Sequence, residues 1–494
     1  MKKSINNVVY GVLGQVITIA IGLILPRLRI VSFGSEINGM LSSVQQIYSY
    51  LALLEAGVGT ATLQALYGPI AKNEKSTVNE ILAATHKFYK KTGYIYLIAV
   101  LIFAAVYPVF VNTDISPVIL IEVILLNGLG NVLAYFFQGK YKVLLQAEGK
   151  QYIITNLTTF VTVCSGVAKI ILINLGFNVV SLQIAYFAFN VIQVCFFAFY
   201  IRKYYHWIDL KVKPDENAIA QKNSALIHQI SQMIFNNTDV LILTVFCGLK
   251  VVSVYALYNM VYDMISTLIN NINNGFSFKL GQMFNSNIER FIPLYDLYER
   301  YYTAMSFFLY CITYLLITPF IKLYTSGVTD TDYLIPYIPI LFTSIKLMVS
   351  GRAPSGFVAS YAGHFKKTQN RAILEMIINL VVSIICVNIW GIYGVLFGTI
   401  VALLYRANDM IIYANRIILK RSPWKTYKWW GLNLFLFGII VLVCNNVDLP
   451  INSYFTFFVY GFIAFCIIGL IFFGFTFLIS QKETKEFIYY TIKR

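Results

Sequence analysis

Fourteen apolar stretches, each long enough to cross a bilayer, follow one another along this chain with short polar breaks between them. A hydrocarbon core of roughly 30 Å requires about 20 mostly apolar residues in a helix. With 58% hydrophobic and 12% charged residues, the chain supplies such segments many times over. These runs are continuous, whereas a membrane β-barrel needs short alternating strands. The sequence therefore predicts an all-α polytopic membrane protein with about 14 transmembrane helices.

The predicted spans are, in order, 8–30, 37–66, 93–112, 117–138, 152–175, 179–201, 225–247, 251–275, 301–324, 333–360, 372–390, 392–417, 429–447 and 454–479.

Basic residues concentrate in alternate loops. Thirty of the 38 Lys and Arg residues lie before the first span, in every second loop and in the tail. Such a bias marks the cytoplasmic side of a membrane protein. It predicts a multi-pass protein of the plasma or inner membrane with both termini in the cytoplasm. The net charge of +16 then reflects topology and attraction to lipid headgroups, and no nucleic-acid partner is expected.

Three pairs of glycines indicate an internal duplication. Gly34 matches Gly248 before the second and eighth spans, and the offset is 214 (248 − 34). Two loop glycines in "LQAEGKQY" and "SYAGHFKK", and two in the turns "NLGFN" and "IWGIY", match at nearly the same offset. Parallel repeats of this kind are a common transporter plan. We therefore predict an N-terminal lobe of helices 1–6 (1–224) and a C-terminal lobe of helices 7–12 (225–428).

Spans 13 and 14 lie outside this repeat. Both are rich in aromatic residues, and no charged residue occurs over 431–447 or over 449–480. A helix that is apolar all round can face lipid. Residues 429–494 are accordingly predicted to form two peripheral helices and a cytoplasmic tail.

Polar residues inside the spans are expensive in lipid and therefore usually face a cavity or a partner. The second and eighth spans, which the repeat makes equivalent, carry long polar stripes that include Gln45 and Asn259. Acids at Glu55, Asp239 and Asp263 accompany them. A polar face on each lobe is what a water-filled cavity requires.

The tenth span contains two cations, Lys346 and Arg352, followed by Pro354. One interpretation is that they hold an anionic headgroup, and the other is that they pair with buried acids such as Asp263 or Asp239. Arg406 and Asp409 are three residues apart and are predicted to pair with each other. Arg29 lies on the polar stripe of the first span, which makes it a second candidate for a cavity cation.

The sequence contains no motif that indicates an enzyme. The sequence contains no P-loop, no nucleotide-binding glycine fingerprint and no HExxH. "TDTD" at 329–332 resembles a metal site for sugar nucleotides but lies in a short outer loop. The seven cysteines and four histidines show no metal-ligand spacing. No enzyme activity, cofactor or metal is expected.

The chain resembles the polysaccharide transporters, the Wzx-like lipid-linked oligosaccharide flippases of the multidrug/oligosaccharidyl-lipid/polysaccharide (MOP) flippase superfamily. The resemblance extends over nearly the whole chain. It rests on the two loop motifs "QAEGKQY" and "YAGHFKK" and on three longer segments: "LPRLRIVSFGSEINGMLSSVQQI" (25–47), "LLEAGVGTATLQALYGPIAKN" (53–73) and "NNTDVLILTVFCGLKVVSVYALYNMV" (236–261).

The resemblance implies two six-helix lobes around a cavity that opens alternately to each side. It implies that undecaprenyl-diphosphate-linked oligosaccharide moves from the cytoplasmic to the outer leaflet during capsule, O-antigen or exopolysaccharide synthesis. Polysaccharide polymerase and glycosyltransferases are expected partners. The predicted substrate-binding residues are Arg29, Lys346, Arg352, Arg406, Gln45 and Asn259.

The predicted sites of proton or sodium coupling are Asp239, Asp263 and Glu55. A lipid II flippase and a cation-coupled multidrug exporter of the same fold remain alternatives, as does a membrane scaffold in an envelope-synthesis complex.

Overall fold

The protein is built from α-helices throughout the part of the chain that the structure, a computed structural model, describes: residues 2–55, 58–215, 223–444 and 450–481. That part contains no β-strand. The last residues of the thirteenth predicted span (445–447) and the predicted cytoplasmic tail from 482 lie outside it. The helices are α1 (Lys2–Phe33), α2 (Ser35–Leu51), α3 (Val58–Ala71), α4 (Lys75–Phe110), α5 (Pro117–Phe137), α6 (Gly139–Ala147), α7 (Gln151–Asn174), α8 (Val179–Tyr204), α9 (Asn223–Phe246), α10 (Leu249–Ser286), α11 (Ile288–Tyr324), α12 (Ile338–Tyr361), α13 (Phe365–Trp390), α14 (Ile392–Tyr413), α15 (Trp424–Cys444) and α16 (Tyr454–Ile479).

Ten of the described helices are long and apolar enough to cross a membrane, and Ile230–Phe246 in α9 is a shorter apolar helix. The other predicted spans coincide with α1, with α2 and α3 together, and with α12. α2 and α3 are each too short to cross a membrane alone, and α12 carries the two cations Lys346 and Arg352. The prediction of an all-α polytopic membrane protein is confirmed.

The second predicted span is not one continuous helix. α2 ends at Leu51, a single 3-10 turn covers Ala52–Glu55, and α3 begins at Val58. Two glycines, Gly57 and Gly59, flank that start in the sequence, and each glycine costs a helix about 1 kcal/mol relative to alanine. The break places the carboxylate of Glu55 where the hydroxyl of Tyr89 donates a hydrogen bond to it.

Several segments predicted as cytoplasmic loops are helical. α4 begins at Lys75 and α11 at Ile288, well before the predicted spans at 93 and 301, and α6 occupies the loop after the fourth span. These extensions are amphipathic: Val78 and Leu82 of α4 pack with Leu144 of α6 in a buried cluster. Apolar residues at helical spacing among many lysines are the reason that basic segments fold here.

The helices confirm the duplication. The first residues of α2 and α10 are offset by 214 (249 − 35), and so are those of α7 and α13 (365 − 151). The last residues of α4 and α11 have the same offset (324 − 110). The glycines used to detect the repeat all have positive φ: 86° and 82° at Gly34 and Gly248, and 54–76° at the other four. Glycine adopts this left-handed backbone without steric cost, which explains why the turns of both repeats use it.

The chain divides into two compact units, residues 1–253 and 254–494, called unit 1 and unit 2 below. Unit 1 thus contains the whole first repeat together with α9 and the first residues of α10. The lobe boundaries at 224 and 428 stay predictions. In unit 2, α16 packs on α11 through Phe465 and Phe308, whose ring centroids are 4.9 Å apart, and leaves Leu470 75% exposed, as expected of a peripheral helix.

Candidate functional site

The same polar face recurs on α2 and α10. Successive side chains on this face match at the offset of the repeat: Gln45 with Asn259, Tyr48 with Tyr262, and Ser49 with Asp263. Residues at i, i+3 and i+4 share one side of a helix. Each repeat therefore presents an amide, a tyrosine and a further polar side chain from equivalent positions.

A buried tyrosine pair holds this face in both units. Tyr48 stacks on Tyr96 and Tyr262 on Tyr310, each with 6.4 Å between ring centroids. The hydroxyl of Tyr48 donates to a backbone carbonyl of α5, and that of Tyr262 donates to the carbonyl of Pro339 at 2.8 Å. Buried hydroxyls need such partners. The pair fixes the rotation of each helix and thus the direction of the neighbouring polar residues.

In unit 1 this face opens into a polar pocket of about 280 Å³. Hydroxyl and amide groups dominate its lining, together with one acid and one base: Gln45, Tyr48, Ser49, Glu55, Tyr89, Tyr96, Asn131, Tyr135 and Lys142. The hydroxyl of Tyr96 accepts a hydrogen bond from Asn131 at 3.2 Å. The formal charges of Glu55 and Lys142 cancel, so the pocket offers many hydrogen-bonding groups and no net charge.

A second, more open cavity of about 450 Å³ adjoins the first. Ser49 lines both, and the remaining polar walls come from Gln232, Asn236 and Asn237 of α9. Amide and hydroxyl side chains therefore occur in both cavities, from α5 across α2 to α9 within unit 1, among apolar groups such as Met233. Such a surface suits a ligand with many hydroxyl groups.

Hydrogen bonds join α2 to α9 beside this surface. The hydroxyls of Tyr50 and Thr238 lie 2.7 Å apart, and Thr244 donates to Ser43 at 2.9 Å. Asp239 is 5% exposed and lies beside Tyr50. The predicted coupling residue Asp239 is thus buried at this contact and does not line the polar surface.

The first turns of α2 and α10 also meet closely. Asn38 donates to the hydroxyl of Ser253 at 2.8 Å. A Cβ atom on Gly39 would lie 1.8 Å from the carbonyl oxygen of Leu249, so only glycine permits this approach. α2 therefore packs closely against the start of α10 at these turns.

In unit 2 the equivalent face carries a charged pair. The ammonium of Lys346 lies 2.6 Å from Oδ1 of Asp263 and 3.1 Å from Oδ1 of Asn259. Asn259 in turn donates to Asp263 at 2.7 Å. Of the two interpretations of Lys346, pairing with Asp263 is observed, and its role in headgroup binding stays a prediction.

A second, deeper network connects α12, α13 and α14. Glu375 forms ion pairs with Arg352 and, at 3.3 Å, with Arg406. Asp409 forms ion pairs with Arg406, at 2.7 Å, and with Arg371. Arg352, Arg406 and Glu375 are each at most 8% exposed. The predicted Arg406–Asp409 pair is confirmed, and Arg352 pairs with Glu375 instead of with Asp263 or Asp239.

This network has consequences for anion binding. Three guanidinium groups share two carboxylates, which leaves a formal charge of +1. Buried charges require such compensation. An anionic ligand therefore reaches Arg352 or Arg406 only in competition with Glu375 and Asp409, whereas Arg371, at 37% side-chain exposure, is the most open of the three.

Arg29 belongs to a different region, in α1 of unit 1. It is half-buried and lies near Lys169 of α7, whose ammonium is 4.7 Å above the ring of Tyr186. Two cations are thus close together within the membrane helices, and the substrate-binding role of Arg29 stays a prediction.

Sequence reasoning missed several residues of these sites. Glu375 is an acid within the predicted span 372–390, and that position was a usable signal. Asn131 lies in the predicted span 117–138, and Lys142 lies in the loop that follows it. Neither segment carries a polar stripe that would have indicated a site. Only the packing of α5 and α6 against α4 brings them to Gln45 and Glu55. In the described part of the chain, no group of His, Cys, Asp and Glu residues has the arrangement of a metal site.

No protein-family model and no curated protein sequence matches this chain. Solved structures do. A multidrug resistance MATE family transporter of the MOP superfamily, in an inward-facing conformation, aligns with a TM-score of 0.64 and 14% identity over 82% of this chain and 94% of its own. The lipid II flippase MurJ, in an inward closed conformation, aligns with a TM-score of 0.62 and 12% identity over 94% of this chain and 99% of its own.

A Vibrio cholerae MATE transporter aligns with a TM-score of 0.54 and 12% identity over 86% of this chain and 99% of its own. At such low identities the likeness establishes the fold. The chain is a multi-pass membrane protein with the fold of MATE transporters of the MOP superfamily and of a lipid II flippase.

Proposed function

We propose that the protein is a flippase, not an enzyme, that moves undecaprenyl-diphosphate-linked oligosaccharide repeat units from the cytoplasmic to the outer leaflet by alternating access. The product would serve capsule, O-antigen or exopolysaccharide synthesis, with a polysaccharide polymerase and glycosyltransferases as partners. The protein would act in the plasma or inner membrane with both termini in the cytoplasm.

The polar surface of unit 1 carries this proposal. Amides and hydroxyls surround the 280 Å³ pocket, and Ser49 continues that lining into the cavity beside α9. Tyrosine rings and neutral hydrogen-bonding groups fit sugar rings, which present hydroxyls at their edges and C–H groups on their faces. A cationic drug would be better served by an unpaired buried acid, and Glu55 is instead held by Tyr89.

Unit 2 supplies the cation that a diphosphate needs. In the proposed cycle, Lys346 exchanges Asp263 for a phosphate oxygen, and Asn259 remains beside it. The pair favours such an exchange because the side chain of Asp263 is 54% exposed and can be solvated when released. Arg29, Arg352 and Arg406 are proposed as further cations for the headgroup, and Gln45 as a sugar contact.

Physical driving forces agree with outward movement. A diphosphate is anionic, and a membrane potential that is negative inside favours its export by about 2.3 kcal/mol per charge per 100 mV. Coupling to protons or sodium through Asp239, Asp263 or Glu55 is part of the proposal. It predicts that an imposed ion gradient changes the rate and that neutralising the responsible acid removes this dependence.

A lipid II flippase is the second candidate. The lipid II flippase structure aligns with 94% of this chain, compared with 82–86% for the two MATE transporters described above. Lipid II shares the prenyl diphosphate and differs in its sugar and peptide. A cation-coupled multidrug exporter is the third and is supported by the fold alone.

The test is a leaflet-exchange assay in liposomes. The reconstituted protein receives a fluorescent undecaprenyl-diphosphate oligosaccharide, and a membrane-impermeant reductant quenches the label in the outer leaflet. Lys346→Gln is measured beside Lys322→Gln, which removes an exposed lysine near the predicted outer end of α11. We expect rapid exchange in the wild type and in Lys322→Gln, and at least tenfold slower exchange in Lys346→Gln.

Four other results would each change the proposal. Exchange of labelled lipid II but not of the oligosaccharide lipid favours the second candidate. Efflux of a cationic dye without lipid exchange favours the exporter. Equal exchange in all variants removes Lys346 from the substrate site, and absence of any transport favours a scaffold.

A further inference from the structure

A polar pocket in unit 2 is lined by none of the residues assigned to transport. It has a volume of about 220 Å³ and is formed by the first half of α11, the start of α15 and the end of α16. The loop charges place all three ends on the cytoplasmic side. The pocket therefore opens where the headgroups of the inner leaflet lie.

Its two acids already have cationic and hydroxyl partners. Glu299 accepts from Arg421 at 2.7 Å and from Thr426 at 2.9 Å, and it is 4% exposed. Asp296 pairs with Arg421 and, at 3.3 Å, with Lys425. A short π-helix at Ala414–Ile418 precedes Arg421 and lets Asn415 accept a hydrogen bond from its guanidinium.

The remaining charges are positive. Arg300, Lys425 and Lys428 all line the pocket, and together with Arg421 they exceed the two acids by two formal charges. The guanidinium of Arg300 lies 5.1 Å above the ring of Trp429, which restricts its orientation. Positioned cations with an excess of positive charge are the usual means of binding phosphate.

The residues around the pocket are of the kinds that contact lipid at the membrane interface. Trp424, at the start of α15, is 76% exposed, and tryptophan is enriched at the membrane interface. Ile479 of α16 closes one wall, and the neighbouring Leu478 is 68% exposed. α16 has no charged residue along its length, so acyl chains can lie against it while a phosphate occupies the pocket. Basic pockets between helices on the cytoplasmic side bind anionic lipids in this way.

We propose that this pocket binds the phosphate group of an anionic phospholipid of the inner leaflet and thereby ties α15 and α16 to α11. The site is separate from the transport residues and does not depend on the proposed function. A soluble phosphate compound shares the phosphate chemistry but lacks the acyl chains that α16 accommodates.

The experiment is lipid titration of the full-length protein in detergent, followed by native mass spectrometry. The probes are phosphatidylglycerol and phosphatidylcholine with identical acyl chains. The variant Arg300→Gln/Lys428→Gln is compared with Lys72→Gln/Lys366→Gln, which removes two exposed lysines of cytoplasmic segments elsewhere and changes the net charge equally. Lys428→Gln alone, at an exposed position, is included in case the double variant fails to fold.

We expect the wild type to bind phosphatidylglycerol at least tenfold more tightly than phosphatidylcholine. The pocket double variant should lose about tenfold of that affinity, Lys428→Gln a smaller part, and the control none. Equal affinity for the two lipids, or equal loss in both double variants, would overturn the proposal. Stabilisation of the wild type by glycerol phosphate, without preference for phosphatidylglycerol, would show a soluble phosphate site and contradict the lipid assignment.

Discussion

The ammonium of Lys346 lies 2.6 Å from the carboxylate of Asp263, and the two partners differ in exposure: 14% for the lysine side chain and 54% for the aspartate. An ion pair that is half open to solvent contributes little to stability, typically up to about 1 kcal/mol. The pair can therefore separate at small cost. This property distinguishes it from the Arg352–Glu375 pair, whose partners are both buried.

Replacing Asp263 should strengthen headgroup binding. Asp263→Asn leaves Lys346 without a competing carboxylate, and we expect several-fold tighter binding of undecaprenyl diphosphate in detergent, measured by quenching of a labelled lipid. The control Asp332→Asn removes an exposed acid of a loop that is predicted to lie on the outer side. Unchanged affinity in Asp263→Asn would show that Lys346 does not bind the diphosphate.

The buried network should be needed for stability. Glu375→Gln leaves Arg352 and Arg406 without their shared carboxylate, and breaking such a pair typically costs about 3–5 kcal/mol. We expect a clear drop in the melting temperature of the detergent-solubilised protein. The exposed acid substitution Asp114→Asn should change it little. Similar melting of the two variants would show that the network is dispensable for folding.

Lys140 of α6 should give the protein a pH-dependent stability. Burial lowers the pKa of this lysine to about 8, against about 10.4 in an unfolded chain. Between these values the unfolded state binds more protons, so folding stability rises with pH through this window. Lys140→Met removes the effect. Melting temperatures from pH 7.5 to 9.5 should therefore rise in the wild type relative to the variant, and parallel curves would refute the shift.

Transport should require separation of the first turns of α2 and α10. Asn38→Cys/Ser253→Cys, in a chain whose seven native cysteines are replaced, places two thiols where a 2.8 Å hydrogen bond now lies. Oxidation should block leaflet exchange, and reduction should restore it. The control variant is Thr62→Cys/Thr85→Cys, which joins α3 to α4 within one repeat. The hydroxyls of Thr62 and Thr85 are 3.1 Å apart. Exchange that persists after crosslinking of the first pair would exclude opening at this contact.

Much of the architecture could be predicted because it depends on local patterns. Apolar runs, loop charges and glycine turns identified the helices and the repeat, since each reflects a short segment and its solvent. The Arg406–Asp409 pair was accessible for the same reason: its members are three residues apart on one helix.

The pocket of unit 1 could not be predicted in this way. It depends on the break in the helix after Leu51 and on α6. The sequence of α6 indicated a loop because the segment contains lysines. Glu375 shows a different failure, because its partner Arg352 is on another helix and pairing between helices depends on register. Sequence periodicity describes one helix at a time and contains no information on that register.

The equivalence of Ser49 and Asp263 has a further consequence. The duplicated face has an amide and a tyrosine in both copies, but where the first copy has Ser49 the second has Asp263, paired with Lys346. A protein whose two equivalent helix faces differ in this way, one with a hydroxyl and one with a carboxylate, can tell the two ends of an amphiphile apart. The cargo would then travel in a fixed orientation, with its sugars and its phosphates recognised by descendants of a single ancestral helix.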